Sequence, residues 1–229
     1  MRILAIECST EWLAVALSDG GDCRERRERA GQTHSERVLP MVDALLAEAG
    51  CPLAALDGIA FGAGPGSFTG VRIACGVAQG LALGADLPVV GVATLEAIAQ
   101  EAHRVHCAGQ VFACADARMR EVYVAAYARE GGRWREVMAP AVVVPADVEV
   151  PAGRWFGAGD GLETHPLVVE RGLFCAIDPS IVPTARAVAE LAQARLLAGE
   201  GMRAAEALPL YVRHRVALTS AERAAGARL

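Results

Sequence analysis

Apolar and polar positions alternate from the start of the chain. Residues 2–8 (RILAIEC) and 12–17 read as strands, and Gly20-Gly21 turns the chain into a third, 22–29, so it opens as an antiparallel meander. That third strand carries RERRER, whose interleaved glutamates describe a solvated edge better than a basic patch. The period then changes. Val38, Val42, Leu45, Leu46 and Ala49 recur at helical spacing behind Thr33 and Glu36, which match a capping box; Gly50 ends this helix, and Pro40 is expected to kink it near its start. A buried strand from Gly58 runs into a Gly/Pro cluster at 62–66, and a second helix follows with Val71, Ala74, Cys75, Ala78, Leu81 and Ala82 at three- and four-residue spacing. A strand at 88–92 and a helix from Thr94 to about Arg104 complete the series βββαβαβα.

From Gln110 the pattern begins again. Residues 111–137 have the plan of the opening stretch (strand, acidic residue, short turn, strand, Gly-Gly, strand), with Asp116 in the place of Glu7. A duplication follows, with a first lobe at 1–106 and a second, degenerate lobe with a C-terminal tail at 107–229. The second copy is looser: a loop at 140–151, a strand at 154–157, a Gly-rich turn at 157–161, a strand at 173–177 and a helix from about Thr184 to Ala198. After Pro209 the tail becomes rich in arginine and alanine and is expected to be partly disordered.

Two features of residues 58–84 ask for a cause. The loop GAGPGSFTG can cradle an anion at a helix N-terminus capped by Ser67 or Thr69, or its glycines can simply turn the chain sharply off a strand; both readings stand. No lysine follows, so it is not a Walker loop. In the helix, Gly76, Gly80 and Gly84 fall four apart beside Ala74, Ala78 and Ala82. Each interior glycine costs about 1 kcal/mol relative to alanine. Close approach of another helix, from this chain's own core or from another subunit, would offset that.

Composition narrows the function classes. At 229 residues and 53% hydrophobic content the chain can bury a substantial core, and its apolar runs are broken before the roughly 18 residues a bilayer span needs. Seven scattered cysteines without a CxxC read as buried reduced thiols of a cytoplasmic protein. A net charge of −5 argues against gripping nucleic acid unaided, and all 22 basic residues are arginine, which removes Schiff-base chemistry.

Candidate chemistry is sparse. Glu7 and Asp116, at the ends of equivalent strands, with Thr10 nearby, would suit a nucleotide site in which carboxylates hold Mg²⁺. Neither His34 with Glu36 nor His103 with His106 has the spacing of a metal site, and Ser67 is not in a GxSxG elbow. No catalytic residue, no metal ligand and no resident cofactor is expected from the pattern.

ILAIECSTE, HSERVLPMVDALL, GPGSFTGVRIACGVAQGLALG, DARMREVYVAAY and PLYVR, in this order, resemble the TsaB (YeaZ) family over nearly the whole chain. The resemblance implies a duplicated α/β fold of the actin-like and Hsp70-like (ASKHA, ribonuclease H-like) type. It also implies an accessory subunit of the machinery that places a threonylcarbamoyl group on N6 of adenosine 37 in tRNA. In such a complex TsaD carries the metal and transfers the group, TsaE joins as an ATPase, tRNA is reached through the complex, and ATP or ADP belongs at the complex interface. The family's contacts, with TsaD or in a homodimer, map here onto two helices: Ser35, Glu36, Val38, Leu39, Val42 and Leu46 on one, and Thr69, Arg72, Ile73, Gly76, Gly80 and Leu83 on the other. Glu7 and Ala63 depart from the family's usual aspartate and arginine, which weakens a nucleotide role further. The alternative reading is an actin-like ATP-binding phosphotransferase or a glycoprotease-like hydrolase.

Overall fold

The structure is a computed structural model that describes residues 1–213; the arginine-rich end of the tail lies outside the described residues. Five strands make the first sheet: β1 (Arg2–Glu7), β2 (Trp12–Asp19), β3 (Asp22–Arg29), β4 (Gly58–Gly64) and β5 (Val89–Ala93), in the order β3-β2-β1-β4-β5. β1, β2 and β3 pair antiparallel, and β4 lies parallel to both β1 and β5. The second sheet repeats this scheme with β6 (Gln110–Asp116), β7 (Val122–Glu130), β8 (Arg133–Val143), β9 (Trp155–Ala158) and β10 (Phe174–Asp178), in the order β10-β9-β6-β7-β8. This is the duplicated, two-lobed actin-like fold of the ribonuclease H-like type.

Helices α1 (His34–Ala49) and α2 (Phe68–Ala85) cover one face of the first sheet, and α3 (Thr94–His106) follows β5. In the second half short 3-10 turns and the four-residue α4 (Gly161–Thr164) stand where the first half has long helices, before α5 (Ala185–Leu197). β1 is buried on both faces: Leu4 and Ile6 meet the α1 and α2 side, Ile3 and Ala5 the α5 side. That explains its nearly unbroken apolar sequence.

The division at 106 and 107 separates the sheets but not the packed units. α5, from the second half, lies on the first sheet through Ala185, Val188, Ala189 and Ala192, while α3, from the first half, packs on β6 and β7. Buried polar contacts tie the two helices: Thr184 Oγ1 donates to Glu101 Oε2 at 3.1 Å, and Gln100 Nε2 donates to Glu190 Oε2 at 2.7 Å.

Several local expectations change. Thr33 makes no cap bond; its hydroxyl donates to Ala30 O at 2.9 Å, tightening the preceding turn instead of the helix. β8 runs on to Val143, inside the expected loop. Cys107 and Cys175 are exposed, because one is the left-handed cap of α3 and the other lies on the edge strand β10. His34 is buried against Trp12 O, and His106 bonds Asp178 at 2.7 Å.

The loop after β4 lies directly on the turn after β1. Ser67 N donates to Ser9 O at 2.7 Å, and Ser67 Oγ accepts from Gly70 N at 3.3 Å as the cap of α2. A Cβ at Gly70 would stand 1.9 Å from Cys8 O, and one at Gly66 2.5 Å from Ser9 O. The glycines of the loop serve close backbone approach. Those of α2 do not: nothing lies within 4 Å of a Cβ built at Gly76, Gly80 or Gly84, and all three are exposed. Gly70→Ala is therefore expected to destabilise the fold by about 3 kcal/mol or more. Gly80→Ala is expected to stabilise the isolated monomer by about 1 kcal/mol. Denaturant unfolding of both variants beside the parent chain measures the contrast.

Candidate functional site

Two regions compete for function, a cleft between the lobes and an exposed helix face. The cleft, about 1050 Å³, opens at the carboxyl ends of the parallel strands, where open α/β sheets bind ligands. Thr10, Trp12, Phe68 and Arg72 line one side, Asp116, Arg118 and Tyr123 the other, and residues 210–213 close one margin.

Of the nucleotide candidates, Thr10 and Asp116 reach opposite walls and Glu7 does not reach the cleft. Glu7 is 1% exposed; Oε1 accepts from Ser9 N at 2.5 Å, while Oε2 packs on the α-carbon of Gly62 with no polar partner. Burial raises its pKa, outweighing the opposing hydrogen bonds from Ser9 and Cys8. It is a sealed acid, poorly suited to hold a cation. Thr10 Oγ1 is taken up by Trp12 N at 3.1 Å. Asp116 already faces Arg118 Nη1 at 3.1 Å and His165 Nε2 at 3.4 Å, so its charge is answered within the lobe. Among the described residues no cluster of three or more His, Cys, Asp or Glu is placed to hold a metal. The residues present do not fit a Mg²⁺-nucleotide held between Glu7 and Asp116. Ser67 is occupied as a helix cap, which leaves the loop the role of a sharp, closely packed turn.

The helix face is different in kind. Of the 18 residues of α2, six are buried, five are half-buried and seven are exposed. Ala74, Ala78 and Ala82 face the sheet, so the glycine row faces outward. Thr69, Arg72 and Leu83 share the exposed side, Ile73 is half-buried, and Leu83 is 78% exposed. On α1, Ser35, Glu36 and Leu39 are exposed. Val38, Val42 and Leu46 are not available to a partner: they are buried in the first-lobe core, because the apolar stripe of α1 packs on its own sheet.

Two aromatic neighbours escaped the sequence reading. The Arg72 guanidinium lies 3.5 Å from the Phe68 ring centroid, and its Nε donates to the Tyr211 hydroxyl at 2.7 Å. The Phe68/Arg72 spacing of four on one helix was the available signal for the first; nothing in the sequence pointed to the second.

The sealed Glu7 makes a pH prediction. Its pKa is higher folded than unfolded, so the protonated acid contributes stability that is full below the ordinary value of 4.5 and is lost as pH rises through the folded value. Glu7→Gln, neutral at every pH, is expected to raise the melting temperature near neutrality and to flatten the decline above pH 4.5. Thermal melts across pH would show a parallel, unshifted profile if Glu7 were ionised in the fold.

Comparison with known proteins agrees with this geometry. A family model described as TsaD, tRNA N6-adenosine threonylcarbamoyltransferase, matches residues 27–208. The tRNA threonylcarbamoyladenosine biosynthesis protein TsaB of Escherichia coli is 41% identical over 223 residues, covering 95% of this chain and 96% of the relative. The Haemophilus influenzae protein of the same name is 39% identical over 226 residues, covering 94% and 95%. The solved structure of YeaZ from Pseudomonas aeruginosa superposes with a TM-score of 0.86 at 45% identity, covering 92% of this chain and 99% of that one. The chain belongs to the TsaB (YeaZ) family.

Proposed function

We propose that this chain is a non-catalytic accessory subunit in the synthesis of N6-threonylcarbamoyladenosine at position 37 of tRNA, and that it binds and activates the catalytic subunit TsaD. The observation that carries this reading is the outward side of α2, which exposes Phe68, Thr69, Arg72 and Leu83 beside three glycines that meet no other atom among the described residues. Apolar surface of that kind marks an interaction site. A glycine row lets a second helix approach to backbone contact, and the exposed residues of α1 and the Phe68, Arg72 and Leu83 side chains flank it.

TsaD fits as the occupant because the chain matches that transferase's own family model, so the partner has a comparable helix pair to offer. A second copy of this chain has one too, and a homodimer on the same face would compete. TsaE joins the pair, any ATP or ADP sits at the complex interface, and tRNA is contacted chiefly by the partners, in keeping with the net charge of −5. The complex acts in the cytoplasm. The sealed Glu7 and the capped Ser67 weigh against the phosphotransferase and hydrolase readings.

Threonylcarbamoylation of tRNA, reconstituted with TsaD, TsaE and threonylcarbamoyl-adenylate, is expected to require addition of this protein. Gly80→Leu puts a side chain where the partner's backbone belongs, and should weaken association with TsaD about 100-fold or more while leaving the circular dichroism unchanged. Equal modification with the protein withheld would refute the reading, and ATP turnover by the chain alone would then be the next measurement.

A further inference from the structure

Three stretches far apart in sequence meet at the mouth of the cleft: 64–72, 117–123 and 209–213. The last crosses from one lobe to the other without helix or ladder to hold it. On the first lobe, Leu210 N donates to Ala63 O at 2.7 Å, and the Tyr211 hydroxyl accepts from Arg72 Nε, whose guanidinium rests on Phe68. On the second lobe, Arg213 Nη2 donates to Ala117 O at 3.0 Å and pairs with Glu121 Oε2 at 2.6 Å.

Those two acceptors bracket an unusual turn. Arg118, Met119 and Arg120 have φ of 61°, 53° and 62°, three consecutive side-chain-bearing residues in the left-handed region. The turn closes on itself through Ala117 N to Glu121 O and Glu121 N to Arg118 O, both 3.0 Å. One guanidinium nitrogen thus spans both ends of a disfavoured backbone segment. Its side chain is 14% exposed, so the contact is poorly screened.

We propose that residues 209–213 form a coupling strap: an occupant of the α2 face sets the position of Tyr211, and through Arg213 decides how firmly the left-handed turn at the cleft is held. This rests on the reading of the α2 face as a partner surface. Arg72 belongs to that face and is also an anchor of the strap, and Tyr211 beside it is 47% exposed, so an occupant that engages Arg72 meets Tyr211. A segment held by isolated contacts opens at low cost, and a turn in a disfavoured conformation has a relaxed alternative, which together make a two-state element. The coupling is reciprocal. Whatever steadies the turn from the cleft side strengthens partner binding by the same factor.

Hydrogen exchange on the full chain, free and saturated with TsaD, tests this. In the free chain Arg213→Gln, which removes the charge-assisted bonds to Ala117 O and Glu121 Oε2, should speed exchange of the Ala117 and Glu121 amides about tenfold or more. TsaD binding should change exchange at 117–121 at least about threefold in the native chain, and Tyr211→Phe, which keeps the ring but removes the acceptor, should abolish that change. The same variant should bind TsaD within about threefold of native affinity, since a single neutral rim contact is removed. Exchange at 117–121 that ignores TsaD, that responds equally in Tyr211→Phe, or that is unaltered by Arg213→Gln would overturn the strap while leaving the partner reading intact. Failure of the native chain to associate with TsaD would overturn both.

Discussion

The contact on which the rest of this molecule depends is the one between the turn leaving β1 and the loop leaving β4. Gly70 lies against Cys8 O, Gly66 against Ser9 O, and the Ser67 amide is spent on Ser9 O. Side chains are excluded from this seam, so the loop can have almost no other composition. The seam also has two consequences at a distance. It buries Glu7 beneath Gly62, away from the cleft, where burial raises the pKa of the carboxyl. And it fixes the direction of α2, turning its alanines to the sheet and its glycines to the outside. A loop that looks built for phosphate is in this chain packed on backbone: Ser67 N is spent on Ser9 O and Gly70 N on Ser67 Oγ.

The two lobes cannot be treated as separable parts. The face of the first sheet opposite α1 and α2 is closed by α5, nearly a hundred residues downstream of β5, through a layer of alanines that lets helix and sheet approach closely. α3 makes the reverse crossing, and the Arg195–Glu96 ion pair joins the two helices that cross. Each lobe therefore completes the core of the other.

Much of this was legible in the residues, and the failures have physical causes. Strands β1 to β7 followed from alternation and turn residues, and the duplication followed from the repeat of the opening stretch in 111–137. The crossing of α5 was not legible, because an alanine-rich stripe says that a face is buried without saying against what. Val38, Val42 and Leu46 were mapped onto a partner face from the family resemblance, whereas they are buried in the first-lobe core. In α2 two rows of small residues ran side by side, and only the sheet decides which is inside. Asp116 lines the cleft, but pairing it with Glu7 assumed that equivalent positions stay equivalent, and Glu7 is buried away from it. The strap could not be read at all: its anchors lie 139 and 92 residues away, and irregular chain carries no period.

The glycines of this chain fall into two energetic classes, and the distinction bears on function. Those at 62, 66 and 70 lose helix or strand propensity but gain contacts that any larger residue would destroy. Those at 76, 80 and 84 cost about 3 kcal/mol together relative to alanine, and among the described residues no other atom approaches them to offset it. The helix persists because its alanine row and the Ser67 cap hold it from the other side. A loss uncompensated inside the molecule is compensated outside it or not at all. Phe68 and Leu83 are exposed on the same helix and add apolar surface there. The fold as described gives these three positions no reason to be glycine, and that sets α2 apart from the loop before it.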